Sequence, residues 1–387
     1  MTHLMVIGAG GNIGSHLVPH LARLPGLTRL TLVDRDRYEE RNRANQDLPA
    51  GAVGRRKALV QAERARRLNP SLEVRAIAED VEALPLGALR ADLILTGLDS
   101  RRARQRVNYA ARGLGVPWLD GGVLATGMLV RVSRFAPGSD AACLECRWDD
   151  ADYAGLEQSY PCEQSPVPAR TGAPSALGAL AAALLALECG TLLRGEPGGL
   201  APGDELIVDA MHHRQTVTRT RRFGQCRLGD HAPWPLEPVA LDRQSSLADL
   251  LSRVGERLGA NGDLAIAIDG TRIARRLGCE RCGTVKRVLR LAGRMRPADR
   301  RCSACGGRTV LSGFGLLEWM DAGSLARDER NRPAGTMGLL PGEIIRASGG
   351  GRQARFELVA SQSSAETPGR RVAELPSRRV PSAERRA

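Results

Sequence analysis

Short apolar runs alternate with helical patterns over the first third of the chain. The first run, Leu4 to Ile7, leads into a group of glycines and then into an apolar period of three to four residues that extends to Leu24. Further apolar runs cover residues 29–33, 74–77, 91–98 and 116–122, and helical patterns cover residues 57–68 and 101–113. Strands that alternate with helices predict a doubly wound α/β fold, with a mostly parallel sheet covered on both faces.

The pattern changes twice further along the chain. The apolar stretch from Ser175 to Leu193 contains Glu188 and several small residues, which favours a helix buried in protein over a membrane span. Beyond residue 240 a helical period at 245–258 and an alternating stretch at 263–270 predict a smaller α+β domain. We therefore expect one domain over residues 1–240, a second over 241–360, and a disordered tail over 361–387, where Ser, Pro, Arg and Glu dominate.

The glycines after the first strand are the strongest indication of a ligand. A glycine turn between a strand and a helix lets backbone amides approach phosphate oxygens, and the helix dipole favours the same anion. The glycines assigned to this role are Gly8, Gly10, Gly11 and Gly14. Asp34 and Asp36 end the second strand, roughly 20 residues further on, where a carboxylate reaches a ribose hydroxyl. Asp99 ends a later strand and is expected to line the same crevice.

Charge and the start of the chain narrow the partners and the compartment. The chain has 56 Lys and Arg against 43 Asp and Glu, a formal net charge of +13. We interpret this excess as an arginine-rich solvated surface, with an acidic partner as the alternative. No aromatic residues are interleaved with the basic ones, so a nucleic-acid partner is not expected. Because the first strand begins at Leu4, we expect no export signal, no membrane association and a cytoplasmic location.

Two Cys-x-x-Cys pairs in the second half predict a metal site. Cys279 and Cys282 are separated by nineteen residues from Cys302 and Cys305, and a glycine follows each pair. This spacing is typical of a four-thiolate structural zinc site, with a redox or iron site as the less favoured alternative. The second domain is therefore expected to contain a zinc ribbon that docks a protein substrate or a later partner.

Several motifs of the first 240 residues resemble the ThiF/MoeB/HesA family of enzymes that adenylate ubiquitin-like and sulfur-carrier proteins. The residues that carry the resemblance are Gly8 to Ser15, Val33 to Asp36, Asn42, Gln46, Gly54, Lys57, Asp99, Arg104, Asn108 and Cys143 to Cys146. The resemblance implies a Rossmann-like ThiF fold that binds ATP and Mg²⁺. It also implies that Asn42 and Lys57 contact the triphosphate, that Asp99 holds Mg²⁺, and that Gln46 belongs to the nucleotide site.

The resemblance further implies an activity and partners. ATP would adenylate the C-terminal carboxylate of a small ubiquitin-like or sulfur-carrier protein, and the acyl group would pass to a thiol or sulfur donor. Cys162, in the loop before the apolar helix, is the candidate thiol, and a homodimer is the candidate assembly. The alternatives are a nucleotide-binding scaffold without catalysis, a NAD-dependent oxidoreductase, and an adenylating enzyme for a tRNA base or a peptide.

The chain also departs from the family pattern. Asn45 stands where the family usually has an arginine, and Arg41 or Arg43 is the candidate replacement. The family's N-terminal arm, whose arginine reaches a partner's ATP, is not expected, because the first strand begins so early. Relatives often complete a metal site begun by Cys143 and Cys146 with a second cysteine pair.

In this chain Cys226 and His231 occupy the matching region, and a site of three sulfurs and one nitrogen is predicted. His212 and His213 compete with His231 for the fourth position, and two free thiols are the simpler alternative.

Overall fold

The computed structural model describes residues 2–157, 172–242, 244–311 and 315–361. Its largest element is an eight-stranded sheet in the order β3-β2-β1-β4-β5-β6-β7-β8. The strands of this sheet are β1 (Thr2–Ile7), β2 (Leu27–Val33), β3 (Glu73–Ile77), β4 (Leu93–Thr96), β5 (Trp118–Leu124), β6 (Leu129–Phe135), β7 (Asp204–Asp209) and β8 (Arg214–Arg219). The helices that accompany it are α1 (Asn12–Leu21), α2 (Lys57–Leu68), α3 (Arg101–Leu114), α4 (Asp150–Glu157) and α5 (Ser175–Arg194).

The first five strands in the sheet order are parallel, and the last three are antiparallel. Alternation along β1 sends Leu4 and Val6 to one hydrophobic core and Met5 and Ile7 to another, and all four are nearly or fully buried. Helices α1 and α5 pack over the first core, and α3 covers the second. The predicted doubly wound, mostly parallel fold is confirmed, because apolar residues on both faces of the strands require helices on both faces.

Helix α5 is, among the described residues, the one that is long and apolar enough to cross a membrane by length and composition. Core helices of soluble proteins pass the same test. Its residues Leu177, Ala181, Leu185 and Cys189 are buried in the core beneath α1. The structure therefore gives this helix a packing role, as its glutamate and small residues predict.

The second half of the chain forms two smaller sheets. A five-stranded sheet has the order β15-β10-β16-β17-β9, and three further strands pair around β11. The elements are β9 (Leu236–Leu241), α6 (Leu247–Leu258), β10 (Ala265–Ile268), β11 (Ile273–Cys279), β12 (Val285–Leu291), β13 (Thr309–Leu311), β14 (Leu316–Leu317), β15 (Met320–Asp321), α7 (Arg327–Arg330), β16 (Ile344–Gly349) and β17 (Arg352–Ala360). Residues 271–311, which we call the ribbon, form an insertion between β10 and β15 and carry the second set of cysteines.

The two halves of the chain are in direct contact. The amide of Gly87 donates to the carbonyl of Gly342 over 2.8 Å, and the hydroxyl of Tyr109 donates to Asp269 over 3.1 Å. Strand β9 pairs in parallel with β17, so the second sheet begins at Leu236, a few residues before the expected boundary at 240. The expected tail lies outside the described residues, apart from its first serine.

Candidate active site

A cavity of about 800 Å³ opens at the carboxyl ends of the parallel strands. The sequence-predicted residues that line it are Gly8, Gly11, Asp34, Asp36, Gln46, Lys57 and Asp99. They come from the turns after β1, β2 and β4 and from the start of α2. The crossing point of such a sheet is where the carboxyl ends of neighbouring strands leave a crevice. The structure thus brings together residues that are up to about ninety positions apart in sequence.

The glycine turn is shaped by its neighbours. Gly8 has a φ of +83°, and a Cβ there would lie 2.8 Å from the carbonyl oxygen of Gly97. A Cβ on Gly10 would lie 2.4 Å from Cβ of Lys57, so this glycine leaves the space that the lysine side chain occupies. A Cβ on Gly14 would lie 2.0 Å from the carbonyl oxygen of Gly8. The turn therefore requires glycine at these three positions for packing alone.

Asp34 links the second strand to the glycine turn. Its carboxylate accepts hydrogen bonds from the amide of Gly10 over 2.8 Å and from the amide of Asp36 over 3.0 Å. Burial raises the pKa of Asp34, while these amides and the ammonium of Lys57 act in the opposite direction. The carboxylate therefore orders the turn and still faces the cavity.

Lys57 is one of only two lysines in a chain with 54 arginines. Its side chain is 8% exposed, and its Nζ lies 3.7 Å from a carboxylate oxygen of Asp36. The ammonium lies 5.6 Å from the ring centre of Tyr38. A compact ammonium fits this narrow space behind Gly10, whereas a planar guanidinium is broader. The use of lysine in an arginine-rich chain therefore points to a specific requirement at this position.

Asp99 follows β4 and lies at the cavity next to the start of α3. The cap of α3 is the hydroxyl of Ser100, which accepts from the amide of Ala103 over 3.2 Å. The carboxylate of Asp99 is therefore not needed to cap the helix. It is exposed to the cavity, where an oxygen ligand for a divalent cation would be placed.

Two of the predicted residues lie outside the cavity lining. Asn42 accepts from the amide of Glu39 over 2.9 Å and so closes its own short 3-10 turn. Arg43 pairs with Glu40 over 2.6 Å, and Arg41 pairs with Glu39 over 2.6 Å. The arginines considered as replacements for the family arginine are thus held by their own turn. Cys162 lies outside the described residues.

The cavity instead receives positive charge from Arg104 on α3 and Arg131 on β6. Both bind the fully buried carboxylate of Asp120, over 3.0 Å and 2.7 Å, and the hydroxyl of Thr96 donates to it over 2.6 Å. Burial alone would raise the pKa of Asp120, but the two guanidinium groups and the hydroxyl hold it below its usual value.

Arg104 belongs to the family resemblance, whereas Arg131 and Asp120 were not predicted as site residues. The signal for Arg131 is a charged residue at an inner position of an otherwise apolar strand.

The nucleotide fits this cavity by a second criterion. The amide oxygen of Gln46 is buried in the lining and has no hydrogen-bond partner among the described residues. A buried polar atom without a partner costs free energy, so it indicates a ligand that the cavity holds in the working protein. ATP would therefore be held by the glycine turn, Asp34, Gln46 and Lys57, with Mg²⁺ near Asp99.

The first metal cluster lies at the start of the segment that leads to α4. The Sγ atom of Cys143 is 3.9 Å from that of Cys146 and 3.8 Å from that of Cys226, and Sγ of Cys146 is 4.0 Å from Nε2 of His231. Tetrahedral Zn–S bonds of about 2.3 Å place two sulfurs roughly 3.8 Å apart, so the spacing suits zinc. The Nδ1–H of His231 donates to the carbonyl of Ala141 over 2.8 Å, which leaves Nε2 free to bind a metal.

His212 and His213 do not join this cluster. His212 pairs with Asp209 at the surface, and His213 is also exposed. The second cluster joins Cys279 to Cys305 over 3.5 Å and Cys282 to Cys302 over 3.6 Å. These sulfurs are much too far apart for disulfides and suit a four-thiolate site. Both sequence-predicted ligand sets therefore converge in space.

A doubly wound sheet with a glycine turn, a carboxylate after the second strand and a buried lysine defines a nucleotide-binding protein of the α/β class. The profile of the ThiF family matches residues 1–228, which is more than half of the chain. The chain belongs to the ThiF family, as the sequence resemblance predicts.

Curated relatives are similar over shorter segments. The NEDD8-activating enzyme E1 catalytic subunit of Saccharomyces cerevisiae is 30% identical over 43% of this chain and 54% of its own length. The adenylyltransferase and sulfurtransferase UBA4 of Yarrowia lipolytica is 30% identical over 36% of each chain. The tRNA threonylcarbamoyladenosine dehydratase of Haemophilus influenzae is 43% identical over 19% of this chain and 28% of its own length. The matches thus span about half or less of these relatives.

Among solved structures, the crystal structure of E. coli MccB superposes with a TM-score of 0.50 at 21% identity. The match covers 59% of this chain and 65% of MccB. At this identity the similarity establishes the fold alone.

Proposed function

We propose that the protein is an ATP- and Mg²⁺-dependent adenylyltransferase that activates the C-terminal carboxylate of a small ubiquitin-like or sulfur-carrier protein. The observation that carries the proposal is the cavity that gathers the glycine turn, Lys57 and Asp99 at one edge of the sheet. Membership of the ThiF family and relatives named as modifier-activating enzymes and adenylyltransferases support it.

The bound ATP would supply the adenylyl group, with pyrophosphate as the leaving group. A carboxylate that approaches a polyphosphate meets electrostatic repulsion, and the protein has to offset this repulsion. Lys57, Arg104 and Arg131 place three cationic groups at the cavity, and the amides of the glycine turn add donors for phosphate oxygens. Asp99 would hold the metal ion that neutralises further charge. These groups act by position and charge, and none of them has to serve as a general base.

The network around Asp120 keeps two of these cations in place. Because Asp120 is fully buried and binds both arginines, their guanidinium groups are oriented before any ligand binds. Pre-oriented charges stabilise a transition state without a reorganisation cost at the moment of reaction. Arg104 and Arg131 thereby supply charge that the family usually draws from the position of Asn45.

We also propose the finer steps on sequence grounds. The acyl group would pass to a thiol or sulfur donor, and Cys162 is the candidate acceptor in this chain. Zinc at the two cysteine clusters would be structural, because four protein ligands leave no open coordination position. The homodimer and the cytoplasmic location stay predictions.

The test is the exchange of labelled pyrophosphate into ATP by the full chain with Mg²⁺ and a carrier protein that ends in Gly-Gly. We expect Lys57→Ala and Asp99→Ala each to reduce exchange by at least about 100-fold, a loss typical of removing a charge that stabilises the transition state. Lys57→Arg is expected to fail as well, since Gly10 leaves little space for a guanidinium group.

Lys286→Ala, which changes the other lysine, is the matched control and should exchange at the wild-type rate. ATP binding by isothermal titration calorimetry separates a nucleotide-binding scaffold from an enzyme. If the wild type does not bind ATP at millimolar concentration, or if Lys57→Ala exchanges normally, the proposal is wrong. Reduction of a nicotinamide cofactor by the wild type would instead support the oxidoreductase.

A further inference from the structure

The excess positive charge of the chain is concentrated in the ribbon. Residues 271–311 contain twelve basic residues and only two acidic ones, so they hold +10 of the formal net charge of +13. The remaining +3 is in the C-terminal segment after residue 360, and the rest of the chain is balanced. Four thiolates around a divalent zinc ion would still leave the ribbon at about +8. This distribution differs from the evenly basic, solvated surface that the composition suggested.

Few carboxylates neutralise the ribbon. Asp299 binds Arg290 over 2.9 Å and Arg296 over 3.5 Å, so the one buried acid of the ribbon serves two cations. Arg275 and Arg294 pair with glutamates outside the ribbon. The exposed arginines without an ion pair among the described residues are Arg272, Arg276, Arg281, Arg287, Arg300, Arg301 and Arg308. Glu280 is the second acid, and it is exposed without an ion pair as well.

Two pairs of these arginines face each other across strands. Arg276 on β11 is the register partner of Arg287 on β12, and Arg301 is bridged to Arg308. Residues directly opposite in antiparallel strands lie about 4.5–5.5 Å apart, and like charges at that distance are destabilising. A protein that retains two such pairs places them where an anion can bind between the guanidinium groups.

The second pair lies beside the metal cluster. A Cβ on Gly307, next to Arg308, would be 3.0 Å from Cβ of Arg281 and 3.3 Å from Sγ of Cys279. Arg281 and the Arg301–Arg308 pair therefore surround the same cysteine knuckles. A metal ion that holds these knuckles would also hold the three cations close together.

We infer that the ribbon binds the phosphate backbone of a nucleic acid. Exposed guanidinium groups at strand spacing, with almost no acid among them, match a regular array of phosphates. The centre of a protein interface is depleted of charge and is built around aromatic or aliphatic side chains. The described part of the ribbon exposes two large apolar side chains, Val285 and Leu311, against seven unpaired arginines. This inference reverses the expectation that nucleic acid is not a partner, and it is independent of the proposed adenylation.

The test is fluorescence anisotropy of the full, zinc-loaded chain with a labelled 20-nucleotide single-stranded RNA and a duplex DNA of the same length. Binding is expected with a Kd of about 1–100 µM near physiological salt, and it should weaken steeply as KCl rises from 50 to 300 mM.

The variant Arg276→Gln/Arg287→Gln should weaken binding at least about tenfold. It should also reduce the slope of log K against log salt by about 1.4–1.8, the value for two lost phosphate contacts. Arg301→Gln/Arg308→Gln tests the second pair in the same way and guards against misfolding of the first variant. Zinc content checks that the ribbon of each variant is folded.

The matched control removes the same charge from another surface. Arg214→Gln/Arg221→Gln changes two exposed arginines that have no ion pair among the described residues, and it should bind nucleic acid like the wild type. The inference is overturned if the wild type does not bind at 50 mM KCl, or if both ribbon variants match the control. Poly-glutamate that competes as well as RNA at equal charge would also overturn it and indicate an acidic protein partner. Pyrophosphate exchange, measured on the same proteins, reports on the adenylation proposal separately.

Discussion

At the scale of single residues, Asp120 shows how a buried charge can organise an active site. It is completely buried, it binds two arginines and a threonine hydroxyl, and all three of these partners come from different elements. Taking a carboxylate out of water is costly, and its partners offset that cost only while both signs of charge are present. Removing the carboxylate would leave two guanidinium groups largely buried without compensation.

We predict that Asp120→Asn lowers the free energy of unfolding by about 3–5 kcal/mol at pH 7. The folded-state pKa of Asp120 lies below its ordinary value of 3.8, so its contribution is present above that pH and is lost as the pH falls through the folded-state pKa. The difference between wild type and variant should therefore shrink below about pH 4. Urea denaturation from pH 7 to pH 3 measures it.

The control for this prediction is Asp328→Asn, which removes an exposed carboxylate from a surface pair with Arg332. We expect it to change stability by less than about 0.5 kcal/mol at any of these pH values. A difference between wild type and Asp120→Asn that stays constant down to pH 3 would contradict the assignment.

At the scale of elements, the contact between β1 and α1 depends on glycine. Gly14 lies on the first turn of α1, and its missing Cβ allows the backbone of Gly8 to approach. Gly11 has ordinary van der Waals space, with its nearest neighbour atom 3.4 Å from an added Cβ. The glycines of one motif therefore have different reasons for being glycine.

We predict that Gly14→Ala destabilises the fold by about 3 kcal/mol or more, because the added methyl group would overlap backbone at 2.0 Å. The gain in helix propensity, about 1 kcal/mol at most, cannot offset this overlap. Gly11→Ala is the matched control and should cost less than about 1 kcal/mol. Thermal denaturation followed by circular dichroism compares the two, and equal melting temperatures would disprove the packing argument.

At the scale of the whole molecule, two cysteine clusters connect segments that are far apart in the chain. Cys226 and His231 approach Cys143 and Cys146 from more than eighty residues away. The ribbon cluster holds a separate insertion, which contacts the first half of the chain through Arg294 and the carbonyl of Ala83 over 2.9 Å. Metal at the first cluster would therefore support the nucleotide-binding half, and metal at the second would support the ribbon.

We predict about two zinc ions per chain in the native protein, measured by plasma mass spectrometry. Cys279→Ser should lose one ion and retain pyrophosphate exchange, because its cluster is remote from the cavity lining. Cys226→Ser should lose the other ion and lower the melting temperature. Cys189→Ala, which changes a buried cysteine outside both clusters, should retain both ions. A native protein without metal would refute both assignments.

Much of the fold and part of the site follow from local patterns. The strand, glycine turn and helix at the N-terminus, the acid after β2 and both sets of cysteine ligands are short-range signals, and the structure brings them together as expected. Asn42 had the right residue type, yet its side chain closes a local turn, because an amide near a free backbone N–H satisfies that group first. The antiparallel strands β6 to β8 were not predicted, since their pairing depends on partners distant in sequence.

The sequence by itself determined the class of fold, the family and the chemical types of ligand, because glycine turns, apolar periods and cysteine spacing act over a few residues. Only the tertiary structure decided which cations face the cavity, which histidine joins the first cysteine cluster, and where the excess charge lacks carboxylate partners. Those outcomes depend on side chains from separate elements meeting in three dimensions. Arg131 reaches Asp120 across paired strands, and Arg276 faces Arg287 only because β11 and β12 pair in that register.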